Sequence, residues 1–372
     1  MIKNYFKTIN KDNIFLLIYL LCITLFYRLK DSNWSFTGVR VFIVIGCLVG
    51  AIQIIINYKS KIYTVNKALI VFMAFIVLAT YLLFITRDTR LVIALIGIAA
   101  CVGRIKTLTH FMTAVFFIQL AIVFGVLLTG GIAGFGHKNS LALNMMSLMY
   151  ILLWIINWEK KSLKIKLSTI GMCFGFVFFT YFLTESESML FFNSFGLVVI
   201  LVLEVWNKKK QLISTICTYS YILLTLLTLF ISLCYYDLAN GSILKDIMQT
   251  MNNLFNGRLD LMCYSMKMFG VKLVGGELDF SAIDDSRWGY FHLDSGYMWI
   301  MQELGLLVLI IFVVAFTMMM KKYKDRSMRI FVLMVWAMWG FTEDIFYSVG
   351  LNFMLLYIAD LLRETEEENY GM

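Results

Sequence analysis

The sequence contains no proline, and only 15% of its 372 residues are charged. Without proline, any kink in a helix has to come from glycine or from local unwinding. Globular proteins carry roughly 25% charged residues, whereas 60% of this chain is apolar and its mean hydropathy is +0.81. These values exclude an ordinary soluble domain and place the chain among membrane proteins.

Cysteine is scarce and scattered. The seven cysteines lack the Cys-x-x-Cys spacing of a metal site, and six of them fall within or at the ends of apolar runs. We therefore predict no metal, no cofactor and no disulfide framework. A Cys234–Cys263 bridge is the one pairing that the sequence leaves open.

Long apolar runs dominate the chain. A membrane-spanning helix needs about 20 apolar residues, and twelve runs qualify as candidates: 14–27, 41–57, 68–86, 91–103, 110–130, 141–157, 167–183, 189–206, 212–235, 295–320, 329–344 and 349–361. Lipid offers no partner to free backbone groups, and these runs are longer than barrel strands. The predicted fold is all-α, a polytopic membrane protein of about 12 transmembrane helices in a single integral membrane domain, residues 1–372.

The distribution of lysine and arginine predicts the orientation, because cytoplasmic loops are enriched in both. With the N-terminus inside, the cytoplasmic segments hold 21 of these residues and the short outer loops hold 6, Arg28 among them. Lys3, Lys7 and Lys11 precede the first run without a cleavage site, which indicates an uncleaved first span. Both termini are then cytoplasmic, and the net charge of +8 is an orientation signal that calls for no nucleic-acid partner.

One long polar stretch, residues 236–294, separates the ninth and tenth spans. On this topology it is a large extracytoplasmic loop. From Ile243 to Phe255 the apolar residues have helical spacing, which predicts an interfacial helix. Asn256 is a good N-cap for a second short helix that begins directly after it.

Arg258 lies in the first turn of that second helix, where the helix dipole disfavours a cation. The free backbone N–H groups, the unhindered Gly257 and the guanidinium together suit an anion such as a phosphate. The alternative is a surface arginine paired with Asp260 or another loop acid, and the sequence leaves both interpretations open.

Two titratable residues lie where the loop meets the tenth span. His292 and Asp294 border the apolar phase, where desolvation can tune a general base. The alternative for each is a solvated surface residue. Glu303, deeper in the same span, either lines a site or forms a helix contact, because a buried acid is costly unless it faces protein or water.

The third outer loop carries four glycines within residues 130–136, followed by His137, Lys138 and Asn139. Such glycines allow close approach of the backbone to a ligand. His137 and Lys138 provide positive or proton-bearing groups, and Asn139 provides a helix cap or a polar contact. A flexible turn without a ligand is the alternative.

Further charged residues stand at the outer ends of other spans. Arg87 and Arg90 either anchor the helix ends at the membrane surface or complete a cationic rim. Glu343 and Asp344, at the outer end of the eleventh span, have no obvious partner.

The motifs of the outer loops, in their order, resemble the Wzy-type bacterial polysaccharide polymerases of the O-antigen polymerase and ligase superfamily. The resemblance rests on the glycine-rich turn in residues 130–144 and on Gly257-Arg258, Gly275-Gly276, Asp294-Ser295-Gly296-Tyr297 and Gly305-Leu306. It covers the topology of the whole chain, but motifs only in residues 130–144 and 256–306. The third loop carries His137 and Lys138 where polymerases often carry an arginine. Asp294-Ser295 stands where ligases usually show His-Asn, which favours a polymerase.

The resemblance implies a GT-C-like membrane glycosyltransferase of the bacterial cytoplasmic membrane, acting in O-antigen or capsule biosynthesis. Such an enzyme joins undecaprenyl-diphosphate-linked oligosaccharide units on the outer side, with inversion and without a metal. Arg258 would hold the diphosphate leaving group and Asp294 or His292 would act as the base. The substrate-binding residues would be Arg90, His137, Lys138, Asn139, Gly257 and Tyr297.

The implied partners are membrane lipid, and a flippase and a chain-length regulator of the same pathway. Two alternatives remain. One is a ligase that transfers finished polymer. The other is a flippase or transporter of the lipid-linked oligosaccharide, against which stands the absence of matching sequence halves.

Overall fold

The computed structural model describes residues 12–30, 32–63, 67–206, 210–280 and 293–362, and within these ranges every regular element is helical. The prediction of an all-α fold is therefore confirmed. The first ten helices are α1 Ile14–Leu29, α2 Val41–Lys59, α3 Lys67–Thr86, α4 Arg90–Cys101, α5 Ile105–Gly130, α6 Lys138–Ile155, α7 Leu163–Thr184, α8 Glu187–Val205, α9 Lys210–Thr218 and α10 Ser220–Cys234. They are followed by α11 Ile243–Leu254, α12 Arg258–Phe269, α13 Gly296–Trp299, a π-helical turn Ile300–Leu304, α14 Leu306–Lys322, α15 Ser327–Thr342 and a 3₁₀ helix Phe353–Leu361.

Six helical segments in the described ranges are long and apolar enough to cross a membrane: Gly38–Lys59, Leu69–Thr86, Ile105–Gly130, Leu163–Thr184, Glu187–Val205 and Ser220–Asp237. The shorter apolar helices α1, α4 and α15 accompany them. Large apolar side chains such as Phe84, Leu128 and Phe182 point away from the protein. An apolar exterior of this kind is what a multi-pass membrane protein presents to lipid.

Several apolar runs are interrupted where the sequence reads as continuous. The run 295–320 is broken by the π-helical turn and by Gly305, whose φ is +99°. The run 212–235 is broken between α9 and α10 at Tyr219. The last run contains a 3₁₀ helix of nine residues, about 18 Å long at a rise of about 2 Å per residue. In a chain without proline, glycine and local unwinding produce these breaks.

Contacts between loops mark two ends of the helical bundle. At one end, Asn33 after α1 donates its backbone N–H to the carbonyl of Gly134 after α5 (2.8 Å). At the same end, Arg90 at the start of α4 pairs with Asp344 beyond α15 (2.8 Å). We call this the arginine end.

At the opposite end, the start of α7 meets the end of α8, since Lys166 Nζ lies 2.7 Å from a carboxylate oxygen of Glu204. Ser327, the first residue of α15, donates a hydrogen bond to the same carboxylate. These contacts gather the connections before α7, after α8 and before α15 at one end of the bundle.

Arg28, counted above as a cation of the first outer loop, lies inside the protein. It occupies the last turn of α1 and is 2% exposed. Its guanidinium donates to neutral groups on three other segments: Gln119 on α5 (2.8 Å), Asn144 and Ser147 (2.7 Å) on α6, and the carbonyl of Gly350 (3.1 Å). The prediction that Arg28 lies in the loop was wrong. Its long side chain reaches buried hydrogen-bond acceptors, and these replace the water that a charged group otherwise requires.

The loop between α10 and α13 begins with two short helices, α11 and α12. Asn256 does not cap α12 but ends α11, and Gly257 is the N-cap residue. Asn256 has φ of +52° and Gly257 of +80°, and the Gly257 N–H donates to the carbonyl of Asn252 (2.8 Å). This is a Schellman arrangement. The N-cap prediction was wrong because closing α11 requires a left-handed residue at position 256.

The two glycine motifs of the loop and the tenth span meet in space. Gly275 and Gly276 donate their N–H groups to the carbonyls of Leu304 (3.1 Å) and Glu303 (2.9 Å). A Cβ on Gly275 would lie 1.9 Å from the carbonyl oxygen of Glu303. The backbone at Gly275 can approach the backbone of Glu303 and Leu304 this closely only because Gly275 carries no side chain.

Candidate functional site

Arg258, in the first turn of α12, makes two ion pairs at the arginine end. Its Nε lies 3.0 Å from Asp294 Oδ2 and its Nη1 lies 2.8 Å from Glu343 Oε1. The Arg258 side chain is 11% exposed. Desolvation lowers the pKa of Arg258, but the charges of Glu343 and Asp294 outweigh it and raise that pKa above its ordinary value. The guanidinium is therefore a permanent cation held between two carboxylates.

Glu343 is a site residue to which the sequence analysis assigned no role. It follows the last residue of α15, outside the helix, and its side chain is 10% exposed. Asn139 donates its side-chain N–H to the same Oε1 that Arg258 contacts (3.3 Å). Burial raises the pKa of Glu343 to about 7 against the opposing charge of Arg258. One feature of the sequence could have identified Glu343. An acidic residue at the end of an apolar helix is unfavourable unless it has a partner, so its presence there indicates one.

Arg90 forms a second ion-paired cation at the same end. Its guanidinium contacts both carboxylate oxygens of Asp88 (2.8 to 3.1 Å) and one of Asp344 (2.8 Å). It also donates to the hydroxyl of Tyr347 (2.9 Å) and lies 4.5 Å from the centre of that ring and 5.5 Å from the ring of Trp299. Because Glu343 and Asp344 are consecutive, the two arginine sites are neighbours.

We call this group the double-arginine cluster; its members are Asp88, Arg90, Arg258, Asp294, Glu343 and Asp344. With every carboxyl ionised, these described residues comprise two cations and four anions. An anionic ligand must therefore displace a carboxylate from an arginine or meet a carboxyl that carries a proton. Asp294, whose side chain is 27% exposed, is the more accessible of the two acids that contact Arg258.

The remaining residues predicted from the third outer loop divide into two groups. Asn139 belongs to the site through Glu343. His137 instead caps α6, where its Nδ1 accepts the backbone N–H of Asn139 (3.2 Å). Lys138 pairs with the exposed Glu185, and through that hydrogen bond and its charge it holds the pKa of the Glu185 carboxyl below its ordinary value. The structure thus does not bring His137 or Lys138 into the double-arginine cluster.

Two further predicted substrate-binding residues, Gly257 and Tyr297, have structural roles. Gly257 provides the left-handed backbone that starts α12. Tyr297 is buried, and its hydroxyl donates to the carbonyl of Ala337 on α15 (3.0 Å). The predicted base His292 lies outside the described residues. Tyr297 therefore contributes packing between α13 and α15 rather than a surface for a ligand.

An apolar groove of about 500 Å³ adjoins the cluster at Tyr347. It runs between α3, α4, the π-helical turn, α14 and the 3₁₀ helix, and side chains such as Phe72, Leu95 and Phe312 line it. Tyr347 also lines the groove, and its hydroxyl is the one that Arg90 contacts. Tyr347 therefore connects the apolar groove to the ion-paired Arg90.

Glu303, for which the sequence left two roles open, is held in the π-helical turn. Its backbone carbonyl binds Gly276, and its side chain is within electrostatic range of Asp88, Arg90 and Asp344. Within the part of the chain that the structure describes, its Oε2 accepts no hydrogen bond. Glu303 therefore packs against the loop through its backbone, and its side chain lies near the double-arginine cluster.

Comparison with known proteins does not assign a family. The chain matches no protein-family model, and no curated protein and no solved structure matches it.

Proposed function

We propose that this protein is a membrane glycosyltransferase that polymerises oligosaccharide units carried on a lipid diphosphate, of the undecaprenyl type. One observation supports this most strongly: Arg90 of the double-arginine cluster donates a hydrogen bond to Tyr347, which lines an apolar groove. A polyprenyl diphosphate has both an anionic headgroup and a hydrocarbon chain. Guanidinium groups recognise phosphate oxygens in a planar, bidentate way, and apolar walls suit the hydrocarbon chain.

In the proposed reaction Arg258 binds the diphosphate of the donor. Asp294, the more exposed of its two partners, leaves Arg258 and accepts the proton of the acceptor hydroxyl. The acceptor oxygen then bonds to the anomeric carbon while the bond from that carbon to the diphosphate oxygen breaks, with inversion. The diphosphate departs with the electron pair, and Arg258 stabilises its charge.

The membrane arrangement is part of the same proposal. Twelve crossings with cytoplasmic termini would place α11, α12 and the double-arginine cluster on the outer side of a bacterial cytoplasmic membrane. The excess of lysine and arginine in the alternate loops supports this orientation. A GT-C-like arrangement and contact with a flippase and a chain-length regulator complete the proposal.

Reconstitution of the purified protein in lipid vesicles tests the function. Supplied with a lipid-diphosphate-linked repeat unit, the protein should produce chains of several units and release the lipid diphosphate. A ligase would transfer preformed polymer to a different acceptor without lengthening it. A flippase would move the repeat unit across the bilayer unchanged. Either of these results, without chain growth, refutes the proposal.

Glu343 should give this activity a pH dependence. Its carboxyl, with a pKa of about 7, is mostly protonated below that pH and ionised above it. Ionised Glu343 competes with the diphosphate for Arg258, so activity should fall as the pH rises through 7. The fall should be up to about tenfold per pH unit, because the protonated fraction changes by that factor.

The substitution Glu343→Gln should remove this fall, because glutamine still accepts a hydrogen bond from Arg258 but carries no charge. Glu185→Gln is the matched control, an exposed carboxyl at the same end of the bundle. The measurement is the rate of chain growth against pH. An unchanged pH profile in Glu343→Gln would contradict the assigned role of Glu343.

A further inference from the structure

A polar cleft lies at the end of the helical bundle opposite the double-arginine cluster. It encloses about 470 Å³ between α9 and the turn that follows α14. Gln211 and Thr215 line one wall, and Lys321, Lys324 and Asp325 line the other. The walls are tied together, because Ser214 on α9 donates its hydroxyl to the carbonyl of Lys324 (2.8 Å). The cleft is therefore a defined feature between two joined segments.

The lysines in the last turn of α14 and in the turn after it differ in their partners. Lys322 Nζ lies 3.2 Å from Asp360 Oδ1. Lys321 Nζ lies 5.3 Å from the centre of the Tyr219 ring. Within the described ranges, neither Lys321 nor Lys324 forms an ion pair with a carboxylate. Two lysines against the single acid Asp325 leave the cleft with a net positive lining that suits an anion.

An exposed apolar stripe adjoins the cleft. Leu212 and Ile216, one turn apart on α9, are exposed on the face next to Gln211 and Thr215. Leu223 and Leu226 extend the exposed apolar surface along α10, which belongs to the membrane-length segment Ser220–Asp237. A ligand with an anionic head and hydrocarbon tails would contact the cleft and the stripe together.

We propose that this cleft binds the phosphate headgroup of an anionic membrane phospholipid. Lys321 and Lys324 contact the phosphate as charged donors, Gln211 donates from its side-chain amide, and the acyl chains lie along Leu212 and Ile216. Lysines near a membrane surface attract anionic lipids. The site is independent of the double-arginine cluster and of the reaction proposed there.

Native mass spectrometry of the detergent-solubilised protein tests this site. Wild type should retain one phosphatidylglycerol molecule more strongly than phosphatidylcholine. The double variant Lys321→Gln/Lys324→Gln should bind phosphatidylglycerol about 30-fold more weakly, which corresponds to about 1 kcal/mol per lysine at a membrane surface. Both lysines are exposed, so the fold should persist, and the melting temperature verifies this.

The matched control is Lys160→Gln/Lys164→Gln, which removes two exposed cations at the same end but outside the cleft. It should retain the lipid as wild type does. Equal loss in both double variants would show a diffuse charge effect and overturn the proposal. Retention of inorganic phosphate as strong as that of the lipid would overturn the lipid as the ligand, and unchanged lipid binding in Lys321→Gln/Lys324→Gln would overturn the site.

Discussion

Replacing Arg258 by alanine should reduce polymer formation about 100- to 1000-fold, the range found when a single group that stabilises a developing negative charge is removed. The reason is the position of its guanidinium, which is 11% exposed and contacts Asp294 and Glu343. Without it, Asp294 and Glu343 lose the cation that both of them contact. The diphosphate then leaves without a counter-charge, and single lipid-linked units should accumulate on the outer face.

Arg258→Lys separates charge from geometry. Lysine keeps the positive charge but lacks the planar fork that reaches two acceptors at once. We expect most of the activity loss to persist in this variant while the melting temperature stays near that of wild type. Polymer length on a gel and the melting temperature in detergent are the two measurements.

Arg40→Ala is the control for Arg258→Ala. Arg40 is an exposed cation in the connection between α1 and α2, at the arginine end, and it lies outside the double-arginine cluster. Its loss should leave polymer length unchanged. Full-length polymer in normal amounts from a folded Arg258→Ala protein would remove Arg258 from the reaction.

Gly275→Ala should destabilise the protein strongly, whereas Gly276→Ala should have little effect. A Cβ on Gly275 would lie 1.9 Å from the backbone oxygen of Glu303, and backbone cannot rotate away as a side chain can. Among the described residues, a Cβ on Gly276 would meet only the flexible end of Lys272, at 3.4 Å. Of these two adjacent glycines, Gly276 can therefore accept a methyl group and Gly275 cannot.

The expected magnitude follows from the backbone contacts that would be lost. Four hydrogen bonds join residues 272–276 to residues 303–307, each contributing about 1 kcal/mol net. Their separation should lower the free energy of unfolding by up to about 4 kcal/mol. Thermal unfolding of both variants in detergent measures this. Equal melting temperatures for Gly275→Ala and Gly276→Ala would show that the close approach does not hold the loop.

The candidate site could be anticipated only in part. Arg258 and Asp294 stand out in the sequence as polar residues in a loop between apolar runs, and the structure brings them within 3.0 Å. Glu343 was recognisable as a costly acid at a helix end, but its partner lies in a separate part of the chain. Lys138 was expected to bind substrate, and yet it pairs with an exposed acid.

The glycine motifs illustrate the same limit. Gly275-Gly276 and Gly305-Leu306 are visible as separate features of the sequence, each with its own local meaning. Their contact depends on the π-helical turn that carries the backbone of Glu303 toward the loop. No local pattern predicts that turn.

The helical fold and its membrane-length apolar segments follow from sequence alone, because apolar composition is a property that each segment carries by itself and that adds along the chain. Which arginine meets which acid, where an apolar run unwinds, and which glycine admits a neighbouring backbone were decided by tertiary structure. Such contacts join helices that are distant in the chain, and an ion pair forms only where packing brings the two charges within a few ångströms.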